Sequence, residues 1–131
     1  MKTVVINSCY GGYGNISKEA YDYLIQHDAS HLVRKYDNLF GRDEVSYHID
    51  EEYRDHPVWV SCVRELKEKA GASASKYELY EYDETKYAYN ICEYDGLESV
   101  ELIPILDVIK MSTMTIDEWK EYLDSKGYLH N

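Results

Sequence analysis

Phenylalanine is nearly missing from this chain, and proline and closely spaced cysteine are scarce. One Phe and two Pro stand among 131 residues. The three cysteines, Cys9, Cys62 and Cys92, are odd in number and far apart, which argues against a disulfide framework and against a CxxC metal knuckle. No apolar run approaches the ~20 residues of a membrane-spanning helix. The apolar part of "MKTVVINS" is also too short for a signal peptide. Positive charge is in short supply, with 14 Lys and Arg against 25 Asp and Glu, for a net charge of −11. Such a chain lacks the positive surface that phosphate backbones require, so direct nucleic-acid binding is not expected. The expectation is a soluble, cytoplasmic protein without a membrane partner.

What is present describes a globular chain. Hydrophobic residues make up 44% and charged residues 30%, a balance that a disordered segment does not have. A chain of this length buries roughly two-thirds of its unfolded surface, so a core without disulfides or metal is feasible. Tyrosine takes the place of phenylalanine, with 15 Tyr beside two Trp. A tyrosine ring fills a core edge or stacks on a base while its hydroxyl reaches water or a partner. Tyr-rich surfaces suit protein interfaces and nucleobase contact, and an exposed tyrosine face would suit a homo-oligomer.

Residues 2–7, "KTVVIN", read as a buried strand. Ser17 caps a helix over "KEAYDYLIQH", with Ile16 and Tyr21 as its hydrophobic staple and Ala20, Leu24 and His27 on one stripe. That helix should end near His27 or Asp28. Residues 29–56 read as irregular, with short strands at Leu32–Tyr36 and Val45–Ile49 and a turn at Gly41. The clearest helix follows, capped by Asp55, opened by Pro57, lined by Trp59, Cys62, Val63, Leu66 and Ala70, and stopped at Gly71. After the linker "GASAS", the stretches "KYELYEY" and "KYAYNICEY" read as a hairpin joined by "DETK". A turn at Asp95-Gly96 leads to a further strand or an extended arm. A last helix has a capping box at Thr115 and Glu118, a stripe of Ile116, Trp119 and Leu123, and a stop at Gly127. The fold class expected is α/β (or α+β): one domain with a small mixed β-sheet packed by about three helices, and residues 111–131 as a helical extension.

The stretch "NSCYGGYGNIS" holds three of the seven glycines. Between a strand and a helix start, it would offer backbone N–H groups and the positive end of a helix dipole to an anion. The candidate ligand-binding residues are therefore Cys9, Tyr10, Gly11, Gly12, Tyr13, Gly14, Asn15 and Ser17. Arg54 and His56 join them, because an Arg and a His beside the second helix start would suit a phosphate or carboxylate. The loop matches neither G-x-x-x-x-G-K-[ST] nor G-x-G-x-x-G, so a tight strand-to-helix connection without ligand is an equal alternative. For Arg54 the alternative is pairing with the acids around it. Cys9 as a nucleophile would need one of His27, His31, His48, His56 or His130 as base, and no local signature supports any of them. His27 and His31 as metal ligands lack a third. No catalytic residue, metal or cofactor is expected.

Three segments together resemble a family of small uncharacterised bacteriophage-type proteins. "VVINSCYGGYGNISKEAYDYLI" resembles the family's opening strand, N-x-C-Y/F-G-G-F/Y-G loop and helix. "RDHPVWVSCVRELKEKAGASASKYEL" resembles its Arg-x-His/Asp-Pro helix and following strand, and "CEYDGLESVE" its Y-D-G-[IL]-E element. The chain departs from the pattern at Tyr13-Gly14-Asn15-Ile16-Ser17, where the family usually has Phe-Gly-Leu-Ser, and in its added C-terminal helix. The resemblance implies a viral accessory protein that counters a host defence, and it directs attention to the glycine loop, Arg54-x-His56-Pro57 and Asp95-Gly96 as one group. Two functions follow as expectations. The leading one is capture of a phosphate-containing, nucleotide-like small molecule through the glycine loop. The other is an acidic, tyrosine-rich protein-interaction or DNA-mimic module that occupies a host protein.

Overall fold

The apolar run after Lys2 forms strand β1 (Lys2–Asn7), whose last four residues are all buried. A computed structural model describes residues 1–37 and 45–125. The expected turn at Gly41, the stop at Gly127 and the candidate base His130 lie outside the described residues. Strand β2 (Asn15–Ile16) leads into helix α1 (Lys18–Gln26), and strands β3 (Val33–Asp37) and β4 (Val45–Ile49) follow. Helix α2 (Pro57–Leu66) precedes strands β5 (Tyr77–Tyr82), β6 (Tyr87–Tyr94) and β7 (Leu97–Pro104). Helices α3 (Ile105–Met111) and α4 (Ile116–Ser125) close the described chain. The α+β class expected from the sequence holds, with the strands divided among three small antiparallel sheets, β1-β5, β2-β4-β3 and β6-β7.

The expected hairpin between β5 and β6 is not formed. β5 pairs with β1, from Lys2 opposite Tyr82 to Asn7 opposite Tyr77, and β6 pairs with β7. The alternating pattern of β5 suits any partner strand, so turn chemistry and burial decide the pairing. Asp95 and Gly96 have φ of 50° and 85°, the two positive angles that a two-residue type I′ hairpin turn requires. At Asp83–Lys86 the Asp83 carboxylate instead accepts from the Thr85 N–H and hydroxyl, and the turn carries the chain into a separate sheet. β1, buried along most of its length, needs a partner for its backbone groups and takes β5.

Ser17 caps α1 as its sequence suggests, accepting from the Ala20 N–H at 3.0 Å. The helix ends at His27, and Asp28 takes φ 54°, a left-handed conformation that Asp tolerates. Ala20 and Leu24 turn inward, whereas His27 lies outside and stacks on Tyr23. The cap of α2 is His56, not Asp55. The His56 Nδ1 accepts from the Val58 N–H at 3.2 Å, while Asp55 pairs with Lys2 at 3.0 Å. The α-helical part of α2 stops at Leu66, and a 3-10 turn over Lys67–Ala70 continues to Gly71.

α1 and α2 close over β1, β2, β4 and β5. Val5, Ile16, Leu24, Leu32, Ile49, Trp59, Cys62 and Tyr77 form the centre of the core, and its half-buried margin ends at Leu79. After Tyr82, the described residues contribute two buried side chains, Glu98 and Leu123. The C-terminal region holds one more helix than expected. α3 starts directly after Pro104, and α4 carries the Thr115 cap, with the Glu118 N–H donating to the Thr115 hydroxyl at 3.2 Å. Among the described residues no helix is long and apolar enough to cross a membrane.

Candidate functional site

The glycine loop, Arg54 and the Asp95-Gly96 turn do meet, and at their meeting point lies a buried ion pair. Arg54 Nη1 donates to the Val5 carbonyl at 2.9 Å and to Glu98 Oε1 at 2.8 Å, and Nη2 donates to Glu98 Oε2 at 2.5 Å. Both side chains are 5% exposed. The Arg54 guanidinium also sits 3.9 Å from the centre of the Tyr13 ring, a cation–π contact in a desolvated place. Glu98 Oε1 accepts a further bond from the Asn7 N–H at 2.9 Å. The Asn7 side chain donates to the carbonyls of Cys9 and Gly96 and accepts from the Lys76 N–H. A buried Arg–carboxylate pair is tolerable only when its remaining donors and acceptors are also satisfied, and here they converge on Asn7 and Glu98.

The N–H groups of the three loop glycines are engaged in the same self-contained way. Gly11 donates to the Ala74 carbonyl at 2.7 Å, Gly12 to Cys9 at 3.5 Å and Gly14 to the Tyr77 hydroxyl at 2.9 Å. Tyr77 in turn donates to the Asn15 carbonyl at 2.6 Å, and burial pushes its phenol up to about 12. Tyr13, raised above the usual phenol range mainly by burial, donates weakly to the Asp50 carbonyl and accepts from the Trp59 indole at 3.1 Å. At Gly14, with φ 125°, a Cβ would run into the His48 imidazole. At Gly96, with φ 85°, it would run into the Tyr10 carbonyl. These glycines permit close approach of the protein to itself.

The structure therefore separates the ten candidate residues. Cys9, Gly11, Gly12, Tyr13, Gly14 and Arg54 belong to the buried network or its rim through the bonds described above. Tyr10 contributes its carbonyl at Gly96, while the residue as a whole is exposed. Ser17 and His56 are helix caps. The network residues that sequence reasoning missed are Asn7, Glu98 and Tyr77. Glu98 carried no local signal, because an acid next to a hairpin turn reads as surface until Arg54 is brought beneath it.

Asn15 and Ser17 line the mouth of an open cleft of about 720 Å3, with Lys18, Tyr47 and the small residues of the "GASAS" linker. Two of its hydroxyls are turned back into the protein. Ser17 donates to the Lys69 carbonyl and Ser75 to the Gly12 carbonyl. Among the described residues no group of three or more His, Cys, Asp and Glu is placed to hold a metal ion. Burial pushes the Cys62 thiol up to about 12, which makes it a poor nucleophile.

A different kind of surface lies at the other end of the chain. Leu106 is 74% exposed, Ile116 71%, Ile109 59% and Trp119 43%, all on α3 and α4. Residues 83–125 carry eleven carboxylates against three lysines, a net −8 of the chain's −11. The tyrosines, by contrast, are mostly drawn in. Of the fourteen described, only Tyr10, Tyr36 and Tyr94 are exposed, so the apolar part of this surface is aliphatic and indole rather than phenolic. Comparison with family models, with curated proteins and with solved structures gave no match to this chain.

Proposed function

We propose that this protein is a recognition module that binds another protein through its acidic C-terminal region, α3–α4. The observation that carries the reading is the exposure of Leu106, Ile109, Ile116 and Trp119 on a helix pair with five carboxylates against two lysines, a net −3. Clustered exposed apolar side chains at this density mark an interaction site more often than a solvated face. The engaged N–H groups of Gly11, Gly12 and Gly14, and the occupied fork of Arg54, weigh against the glycine loop as an anion cradle. The bacteriophage-type motifs agree with this reading, as an accessory protein that occupies a host protein in the host cytoplasm.

The test is affinity capture from a bacterial lysate with the tagged protein, run beside Trp119→Ser and the remote surface variant Tyr36→Ser. A partner retained by the wild type and Tyr36→Ser but lost with Trp119→Ser supports the reading. A thermal-shift screen against mono-, di- and cyclic nucleotides should be flat. A saturating nucleotide at 100 times its Kd would stabilise the fold by about 2.7 kcal/mol, and a shift of that size would favour small-molecule capture instead.

A further inference from the structure

The recognition reading leaves the chemistry of the partner open, and the α3–α4 surface narrows it. Leu106 and Ile109 are three apart on α3, and Ile116 and Trp119 three apart on α4, so each pair shares a helix face. Tyr122 donates to the Asp107 carboxylate, which ties the second half of α4 to the start of α3 and makes the two helices neighbours. Along α4, Glu118, Glu121 and Asp124 recur every three residues and line a shallow groove with Met114 and Tyr122. Apolar side chains and unbalanced carboxylates thus lie within one helix pair.

Resting on the recognition reading, we propose that α3–α4 is the docking surface for a basic amphipathic segment of another protein. Its apolar stripe would cover Leu106, Ile109, Ile116 and Trp119, and its Lys and Arg side chains would lie on the carboxylates of α4. Charge complementarity selects this occupant. A second copy of the chain would set the net −3 of α3–α4 against the same net −3, and like charges brought together across an interface are unfavourable. An anionic lipid surface is disfavoured for the same reason. A basic amphipathic segment satisfies both features at once, with burial from its apolar face and steering from its charged one.

The experiment uses the full chain and a fluorescein-labelled Leu/Lys amphipathic helical peptide, read by anisotropy at low and high salt. Binding is expected, weakened roughly tenfold by Trp119→Ser, since a central aromatic anchor carries about this much of an interface. The charge reversal Glu118→Lys/Glu121→Lys should also weaken it and flatten its salt dependence, and Tyr36→Ser should leave it unchanged. Equal binding of oligolysine, or of a Leu/Glu peptide, would overturn the proposal, because charge or apolarity alone would then suffice. A concentration-dependent dimer in sedimentation that disappears in Trp119→Ser would make a second copy the occupant. A lysate partner that depends on Trp119 without any binding of the Leu/Lys peptide would leave the recognition reading standing and remove only the basic partner.

Discussion

Residues 1–82 and residues 83–125 are built on opposite terms. The first region holds every member of the main core cluster, from Val5 to Tyr77. Among its described side chains the second buries only Glu98 and Leu123, yet it carries most of the net charge. What joins them is largely polar, since Glu98 and Gly96 of the β6-β7 hairpin reach Arg54 and Asn7 beneath the glycine loop. The loop that looks most like a ligand site is therefore a fastening, and the segment that looks like an appendage presents the free surface. Local motif logic cannot distinguish the two, because a backbone N–H cradles a phosphate or a neighbouring carbonyl with the same geometry.

The largest way to break the comparison is to undo the fastening. Arg54→Met leaves the Glu98 carboxylate buried without its partner, and the expected cost is about 3–5 kcal/mol in urea unfolding. Adding Glu98→Leu should return part of this, because a buried pair replaced by apolar groups is often neutral. The return is incomplete, since the Asn7 N–H then loses its acceptor, at about 1–3 kcal/mol. A single variant within about 0.5 kcal/mol of wild type would mean that the pair does not hold the regions together.

Gly14→Ala comes next. It sets a side chain at φ 125° and against the His48 imidazole, and the expected loss is about 1–3 kcal/mol. Gly12→Ala, with φ 78° but open space at its Cβ, should cost about 1 kcal/mol from backbone strain alone. Equal losses at the two positions would show that contact with His48 contributes nothing.

Alkaline pH probes the same network without mutation. A phenol whose folded value is raised to about 12 holds its proton where the unfolded chain, near 10, has released it. Its contribution is therefore fully present below pH 10 and is lost as pH rises towards 12, at about 1 kcal/mol per pH unit. Ultraviolet titration should show Tyr13 and Tyr77 ionising above the usual phenol range, with unfolding coupled to that step. Tyr77→Phe should remove part of that slope, and an unchanged slope would transfer it to Tyr13 or elsewhere.

The helix starts were legible because a cap is a short-range device. Ser17 and Thr115 act within three residues of themselves, and the sequence contains all that they need. The Asp95-Gly96 turn was legible for the same reason. The pairing of β5 was not, since its alternating pattern is satisfied by β1 as well as by β6 and only burial of β1 decides. The partners of the glycine loop were not legible for a related cause. The sequence groups Gly11, Gly14 and Arg54 with Gly96, but the partners that engage them, Ala74, Tyr77 and Glu98, lie 44 to 63 residues away along the chain. The stripe of α4 divides in the fold: Ile116, Trp119 and Leu123 have core spacing, and of the three only Leu123 is buried.

That split within one helix gives the smallest and sharpest prediction. Leu123 is 6% exposed and Trp119 is 43% exposed, four residues apart on the same stripe. Leu123→Ala removes buried side-chain atoms and should cost about 2 kcal/mol, near the lower end of the range for core leucines. Trp119→Ser should change stability by less than about 0.5 kcal/mol, the ordinary size for a surface substitution. Fluorescence separates the two indoles independently, since Trp59 is fully buried and only Trp119 should be quenched by acrylamide. A Trp119→Ser variant as unstable as Leu123→Ala would mean that the indole is held within the fold, and α4 would then lack its aromatic anchor for a partner. A stable Trp119→Ser variant that loses the Leu/Lys peptide would separate binding from folding at a single residue.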